Sequence, residues 1–329
     1  MSDALKLIKY DSSFERKWDN FIGNSANGTF LQTRNFLNYH NSDKFEDCSL
    51  MIVKGDELVA VIPANIVQTN GQRRFISHQG STFGGLIIKE NGFKINLLEE
   101  IFDLLDKFFT SNGFSSISFK QTGRIFCAKN TDLLDYFFYY KGYQTGYEVG
   151  YYIDFSSFNS DVLSNLSSSR RRDYKYSLKN NLTFKELYEI NEITEFYSVL
   201  EDNYKKFNKA PVHSIDDLID FKKNRLTDIV KFYGVYLNDK MIAGSMVFCF
   251  NGVFHTQYLA VLGQFSDLFA NEFLYVSLIE EAMKNKYKYF SFGTSTLDNG
   301  HVLNSNLARF KEGFGTSQYN NKTFSKKYS

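Results

Sequence analysis

Ser49-Leu50-Met51-Ile52-Val53-Lys54-Gly55-Asp56-Glu57-Leu58-Val59-Ala60-Val61-Ile62-Pro63-Ala64 reads as two apolar strands joined by a tight turn. Gly55-Asp56 supplies the turn, because these residues tolerate positive φ or hydrogen-bond their own backbone. The same reading returns at Phe232-Tyr233-Gly234-Val235-Tyr236-Leu237-Asn238-Asp239-Lys240-Met241-Ile242-Ala243-Gly244-Ser245-Met246-Val247-Phe248, with Asn238-Asp239 at the turn. After each hairpin the order of elements also repeats. A further strand leads to an amphipathic helix, Asn96 to Gly113 or Asn271 to Asn285, and then to a strand, Phe114 to Lys120 or Tyr287 to Gly293. The match is one of element order, not of residue identity. Units this long are not solenoid repeats, which run to roughly 20–50 residues. The expectation is an α/β protein of two tandem domains, each a mixed central sheet flanked by helices, related by duplication and separated by a cleft.

Working outward, Phe14 to Ile22 reads as a helix with Phe14, Trp18, Phe21 and Ile22 on one face, and Phe30 to Thr33 enters a second helix through Phe36 and Leu37. Arg73 to His78 and Ser81 to Ile88 have strand character, and the Gly84-Gly85 pair inside the latter signals a bulge or a close backbone approach. Asp132 to Tyr140 reads as a short helix and Tyr147 to Phe155 as a strand. Ser156 to Ser169 is rich in Ser and Asn and marks the boundary, giving domains 1–160 and 161–329. Ser167-Ser168-Ser169-Arg170-Arg171-Arg172-Asp173 opens a Ser-capped basic helix. Helices Glu192 to Phe207 and Ile215 to Arg225 follow, and the strand Val253 to Ala260 comes after the second hairpin.

Composition narrows the class. The 329 residues suit about two domains, and 43% hydrophobic residues supply two cores. A net charge of +1 gives no global case for nucleic acid or an acidic membrane. Cys48, Cys127 and Cys249 are far apart in sequence and read as buried thiols of a reducing compartment rather than metal ligands. No apolar run approaches the roughly 18 residues of a membrane helix, and the N-terminal stretch has no secretory pattern, so a cytoplasmic location is expected. Aromatic residues make up 17% of the chain, with 34 Phe and 22 Tyr. Core filling explains most of them, and an exposed ring would also stack on a base or sugar.

Several segments, taken with the element order, resemble the GNAT acyltransferases, and in particular the tandem-GNAT branch that includes the Fem-type peptidyltransferases. They are Ser169-Arg170-Arg171-Arg172, Gln257-Tyr258-Leu259-Ala260, Ser291-Phe292-Gly293-Thr294-Ser295-Thr296 and Asn306-Leu307-Ala308-Arg309-Phe310-Lys311-Glu312-Gly313-Phe314-Gly315. The most specific piece is Phe-Gly-x-Ser followed by Phe-Lys-x-x-Phe-Gly. The resemblance departs at two points. The usual pyrophosphate loop, Gln/Arg-x-x-Gly-x-Gly/Ala, has only Leu262-Gly263-Gln264-Phe265-Ser266-Asp267-Leu268 in its place, and the long helical-hairpin arm of some Fem proteins is missing. The resemblance implies an acyl-CoA-dependent N-acyltransferase without a metal. Its acceptor would be the amino group of a nucleotide-linked (dTDP or UDP) amino deoxysugar for bacterial surface polysaccharide such as O-antigen or capsule. Two alternatives stay open: a Fem-type peptidyltransferase using aminoacyl-tRNA on a cell-wall precursor, and a binding protein without activity. A homo-oligomer is compatible with the sequence.

N-acylation needs a neutral amine, donors for the developing oxyanion and a proton for the departing thiolate. The resemblance puts the donor where the fourth and fifth strands of the fold splay, so Tyr258 and Leu259 on the strand His255 to Ala260 lie near the chemistry. His213 and His255 are candidate bases, since an imidazole titrates near pH 6.5, and Tyr258 is a candidate acid. Lys311, Ser295, Asn304 and Asn306 are candidate donor contacts. Arg170, Arg171 and Arg172 would grip phosphates through planar forks, with His78 and Asp298 as further acceptor contacts. Each of these residues also has an ordinary structural reading: a solvated helix face for the arginines, a turn former for Asp298, core or loop positions for the histidines and Tyr258.

Overall fold

The computed structural model describes residues 4–40, 43–206 and 208–328. The chain forms two compact units, Met1–Glu148 with Asp298–Gly300 and Asn320–Ser329, and Val149–Leu297 with His301–Tyr319.

In unit 1, β1 (Leu5–Lys9) is followed by α1 (Glu15–Gly23), the hairpin β2 (Leu50–Lys54) and β3 (Glu57–Ile62), then β4 (Asn65–Thr69), β5 (Gln72–Ser77) and β6 (Ile87–Ile88). Next come α2 (Ile95–Ser111), β7 (Ser116–Lys120), α3 (Asp132–Tyr140) and β8 (Gln144–Asp154). β1, β2, β3 and β6 form one antiparallel sheet. β4 pairs antiparallel with β5, and β5 runs parallel to β7. The period of α2 places Leu98, Ile101, Phe102, Leu105 and Phe109 on one face, where they pack with Phe75, Ile117 and Phe119. Truncating Phe102 there would cost about 3–5 kcal/mol.

Unit 2 opens with α4 (Ser168–Ser177), capped by Ser167, whose Oγ accepts the Arg170 N–H. β9 (Leu182–Leu187), α5 (Ile190–Lys205) and α6 (Ile215–Asp220) precede the hairpin β10 (Val230–Leu237) and β11 (Lys240–Phe250). β12 (Val253–Val261), α7 (Ala270–Lys284), β13 (Tyr289–Thr294), α8 (Ser305–Glu312) and β14 (Ser317–Lys327) complete the chain. The strands run β9-β10-β11-β12-β13, closed by the second half of β8. Leu274, Leu278 and Ile279 of α7 join Val235, Val247, Phe254 and Phe290 in the core.

The element order does repeat, with one exchange. β13 pairs antiparallel with Gly150–Asp154 of β8, and β7 pairs antiparallel with Thr323–Lys327 of β14. Each unit therefore closes its sheet with the last strand of the other half of the chain. Relative to the expected limits 1–160 and 161–329, the units divide earlier and unit 1 takes in the last strand from Asn320 onward, where Phe324 lies in the unit 1 core, stacked on Phe138 at 4.3 Å.

Other local expectations need correction. Ser81 to Ile88 is a strand only at Ile87–Ile88. Gly84 passes so close to Ser77 that a Cβ would lie 2.2 Å from its carbonyl oxygen, and Gly85 has φ +79. The segment follows Ser77, whose Oγ accepts the Gly85 and Lys120 N–H groups, instead of pairing as a strand. The helix expected through Phe36 breaks at Thr33, which is extended and caps the short turn Arg34–Leu37. The helix expected to Arg225 passes into a π-turn at Phe221–Arg225. The expected end of the preceding helix at Phe207 lies outside the described residues. Cys48 and Cys249 are buried, Cys127 is partly so, and all three are free thiols. No helix among the described residues is long and apolar enough to cross a membrane.

Candidate functional site

β12 and β13 are parallel neighbours for a short distance only: Val253 pairs with Tyr289, Phe254 with Phe290 and His255 with Ser291. Beyond that point β12 follows β11 to Val261, while β13 follows β8 to Thr294. Both strands bulge where they part. Gln257 is the extra residue against Met246 and Val247, and Phe292 the extra residue against Tyr151 and Tyr152. A bulge bends and twists its strand, so the bulges on the outer edges of the pair, toward β11 and β8, accompany the parting of β12 and β13, and the point where they part is called the notch.

Polar groups concentrate there. His255 Nδ1 lies 3.0 Å from Ser291 Oγ, which accepts the Gly293 N–H at 3.3 Å. Thr256 Oγ1 donates to the Ser291 carbonyl at 3.0 Å. Gly293 has φ +70, a conformation other residues rarely adopt, and this turns the strand after the bulge. Lys311 reaches in from the last turn of α8, and its Nζ donates to the Gly293 and Thr294 carbonyls at 3.2 and 2.7 Å. It is only 3% exposed, and burial brings its ammonium down to about 7, so it exchanges a proton near neutral pH. Burial, reinforced by the Lys311 charge, brings the His255 imidazole down to about 4, so that ring is neutral at pH 7. His255 and Lys311, 56 residues apart in sequence (311 − 255), thus share one site.

A second pair lies further along β12. Tyr258 Oη is 2.7 Å from His213 Nδ1, and both side chains are buried. Burial raises the Tyr258 phenol well above its ordinary value, so it holds its proton. Leu259, half-buried beside it, packs on the unit 2 core.

The remaining candidates scatter. Ser295 is buried, and its Oγ has no hydrogen-bond partner, while its carbonyl accepts the Asn304 N–H at 2.9 Å. Asn304 caps α8 through the Leu307 N–H, and Asn306 is exposed on the first turn of that helix. Asp298, with φ +49, forms the turn before Gly300 and groups with unit 1. His78 is also in unit 1, with its ring at about 4 through burial, and its Nδ1 accepts the Gly80 N–H at 3.1 Å.

The arginines do not form a joint phosphate grip. Arg170 is paired with Glu272, lies 3.4 Å from Asp173 and covers the Phe310 ring. Arg171 donates to the Leu163 and Leu166 carbonyls at 2.9 and 3.0 Å. Arg172 alone is largely exposed, beside Asp173. Glu272 is the more telling residue. It lies in the first turn of α7, where a helix end attracts anions, and it fills that place with a buried carboxylate. Sequence reading missed Glu272, Gln257 and Ser291 as site residues. Gln257 and Ser291 had a local signal, since each opens a segment that carries the family resemblance; Glu272 had none. Among the described residues no cluster of three or more His, Cys, Asp or Glu would hold a metal.

Residues 168–311 match the family described as acetyltransferase (GNAT) domain. That stretch, the greater part of unit 2, is similar to a GNAT domain. Over the length of the chain the fold is that of Fem-like and tandem GNAT proteins. It is similar to FemX at 10% identity with a TM-score of 0.70, covering 98% of this chain and 97% of that one. It is similar to L-PGS from Bacillus licheniformis at 11% identity and a TM-score of 0.59, covering 95% and 91%. A tandem GNAT protein from the clavulanic acid biosynthesis pathway superposes with a TM-score of 0.54 at 6% identity, covering 98% of both chains. No curated protein matches the sequence. The GNAT fold supports a transferase that acylates an amine.

Proposed function

We propose that the chain is an acyl-CoA-dependent N-acyltransferase whose reaction takes place at the β12–β13 notch of unit 2. The observation that carries this reading is the notch itself: two strands that part beside a bulge in each, with a buried lysine and a neutral histidine at the parting point. The acceptor amine attacks the thioester carbonyl directly, a C–N bond forms and the C–S bond breaks. Backbone N–H groups of β12 beyond His255 and the Lys311 ammonium stabilise the oxyanion. Tyr258 passes its proton to the departing thiolate and regains one through His213. The amine loses its extra proton to the neutral His255.

For the acceptor we propose the amino group of a dTDP- or UDP-linked amino deoxysugar, made in the cytoplasm for surface polysaccharide. The support is the Fem-like resemblance without a helical arm and the near-neutral net charge of +1. One observation favours a second donor. Glu272, bridged to Arg170, occupies the helix end that would otherwise receive a pyrophosphate, and this suits an aminoacyl ester of tRNA, whose reactive carbonyl has no neighbouring diphosphate.

The two are separated by incubating the protein with acetyl-CoA, or with aminoacyl-tRNA, and a UDP- or dTDP-amino sugar, then weighing the product by mass spectrometry. A mass gain of one acetyl group with release of free CoA supports the first reading. Transfer from aminoacyl-tRNA alone supports the second.

A further inference from the structure

Unit 1 has a cavity of about 950 Å³ lying on one face of β5, β7 and β14. Strand alternation explains its character. Phe75, Ile117, Phe119 and Phe324 point into the aromatic core, so Arg74, Ser116, Ser118 and Ser325 point the other way and line the cavity. A parallel pair such as β5 and β7 is ordinarily covered on both faces by apolar residues, yet this second face is short-chained, polar and open.

Its charge is one-sided. Arg74, Lys120, Lys326 and Lys327 line the cavity, and among the described residues no carboxylate does. Two of these cations are already engaged, Lys120 with Glu148 at 2.6 Å and Lys326 with Asp106 at 3.0 Å. Arg74 is different: its Nε is buried and has no hydrogen-bond partner. A guanidinium nitrogen withdrawn from water without an acceptor is costly, and an acceptor from outside the chain would remove that cost. The hydroxyls beside it are donors too, with Ser118 and Ser325 Oγ atoms 3.4 Å apart. His78 borders the cavity as a neutral ring, and since Nδ1 accepts the Gly80 N–H, its proton is on Nε2.

We propose that this cavity binds a diphosphate ester of a small molecule, with Arg74 forked on the phosphate oxygens, Lys327 as a second charge and the serine hydroxyls completing the contacts. The volume is within the 300–1,000 Å³ of small-molecule sites. A planar guanidinium is the side chain best shaped for phosphate oxygens. Two sources share this chemistry, a nucleotide sugar and CoA. The inference does not rest on acyl transfer, since it concerns binding alone.

The test is calorimetric titration of the full chain with pyrophosphate, UDP-glucose and CoA, and with glucose as the uncharged control, at low and high salt. Pyrophosphate and at least one of the esters should bind, and glucose should not. Arg74→Ala should weaken that binding about tenfold or more, as loss of a hydrogen bond to a charged group does. Lys327→Ala, at the exposed end of β14, should preserve the fold and weaken binding severalfold, with a shallower salt dependence. The ester whose binding Arg74→Ala and Lys327→Ala weaken is the one this cavity takes: UDP-glucose assigns it to a nucleotide sugar, CoA to the cofactor. No binding of any phosphate probe, or binding unchanged in Lys327→Ala and in a folded Arg74→Ala, would overturn the proposal.

Discussion

The two units use the same parallel strand pair for different ends. In unit 2, β12 and β13 part after His255 and Ser291, and a buried lysine holds the Gly293 and Thr294 carbonyls just beyond. In unit 1, β5 and β7 stay paired from Arg74 to Ser77 against Ser116 to Phe119, and cations line an open face of the sheet instead. The difference begins with small features. Bulges at Gln257 and Phe292 accompany the parting of the one pair. Ser77, whose Oγ holds the Gly85 and Lys120 N–H groups, ties the other together. The two pairs run together over three and four residues, so the units differ in what the flanking strands and loops do at the end of the pair rather than in the length of the pairing.

The strongest way to break this comparison is at Lys311. Lys311→Ala should lower turnover more than tenfold in a variant that still folds, because it removes the cation whose Nζ meets the Gly293 and Thr294 carbonyls at the parting point. Unchanged kcat in that variant would take the lysine out of the site. Next come the glycines. Gly84→Ala in unit 1 would press a Cβ against the Ser77 carbonyl and should cost about 1–3 kcal/mol by thermal unfolding. Gly293→Ala has free space, with His255 3.7 Å away, but its φ of +70 should still cost about 1–2 kcal/mol and displace the carbonyl that Lys311 reads. It should therefore lower turnover, whereas Gly84→Ala should act on stability alone.

Acidity sharpens the comparison, since each unit carries a histidine held at about 4, His78 in unit 1 and His255 in unit 2. A folded value below the ordinary 6.5 means the unfolded chain binds more protons in that interval. Stability is then fully present above pH 6.5 and lost as pH falls toward 4. Lys311 works over a higher window. Its folded value of about 7 lies below the ordinary 10.5, so stability rises between those two pH values. Chemical unfolding across pH should show the upper slope disappear in Lys311→Met and the lower slope shrink in His78→Gln. The smallest effect belongs to Arg172→Ala, whose exposed side chain meets only Asp173. Its stability should stay within about 0.5 kcal/mol of the parent, and acceptor KM should not change.

Much of the fold was legible because its signals are local. The Gly55-Asp56 and Asn238-Asp239 turns, the alternation of the hairpins and the helix Asp132–Tyr140 each lie within a few residues. The strand exchange was not legible, because nothing in Thr323–Lys327 states that its partner is Ser116–Lys120 rather than a strand of its own half. The site divides the same way. His255 and Lys311 could be named singly, but their meeting depends on α8 returning to Gly293. The partners of Arg170 and Arg171, Glu272 and the carbonyls of Leu163 and Leu166, cannot be read from a run of charge. Arg74 was readable in principle, since Phe75 beside it faces the core and alternation sends Arg74 to the opposite face.

The most direct measurement is hydrogen–deuterium exchange on the whole chain with and without acetyl-CoA, and again with an aminoacyl-tRNA. If acyl transfer takes place at the notch, one of these donors should slow exchange at residues 256–261 and 291–294, where β12 and β13 part. Unchanged exchange in both segments with both donors would contradict the assignment of the chemistry to unit 2.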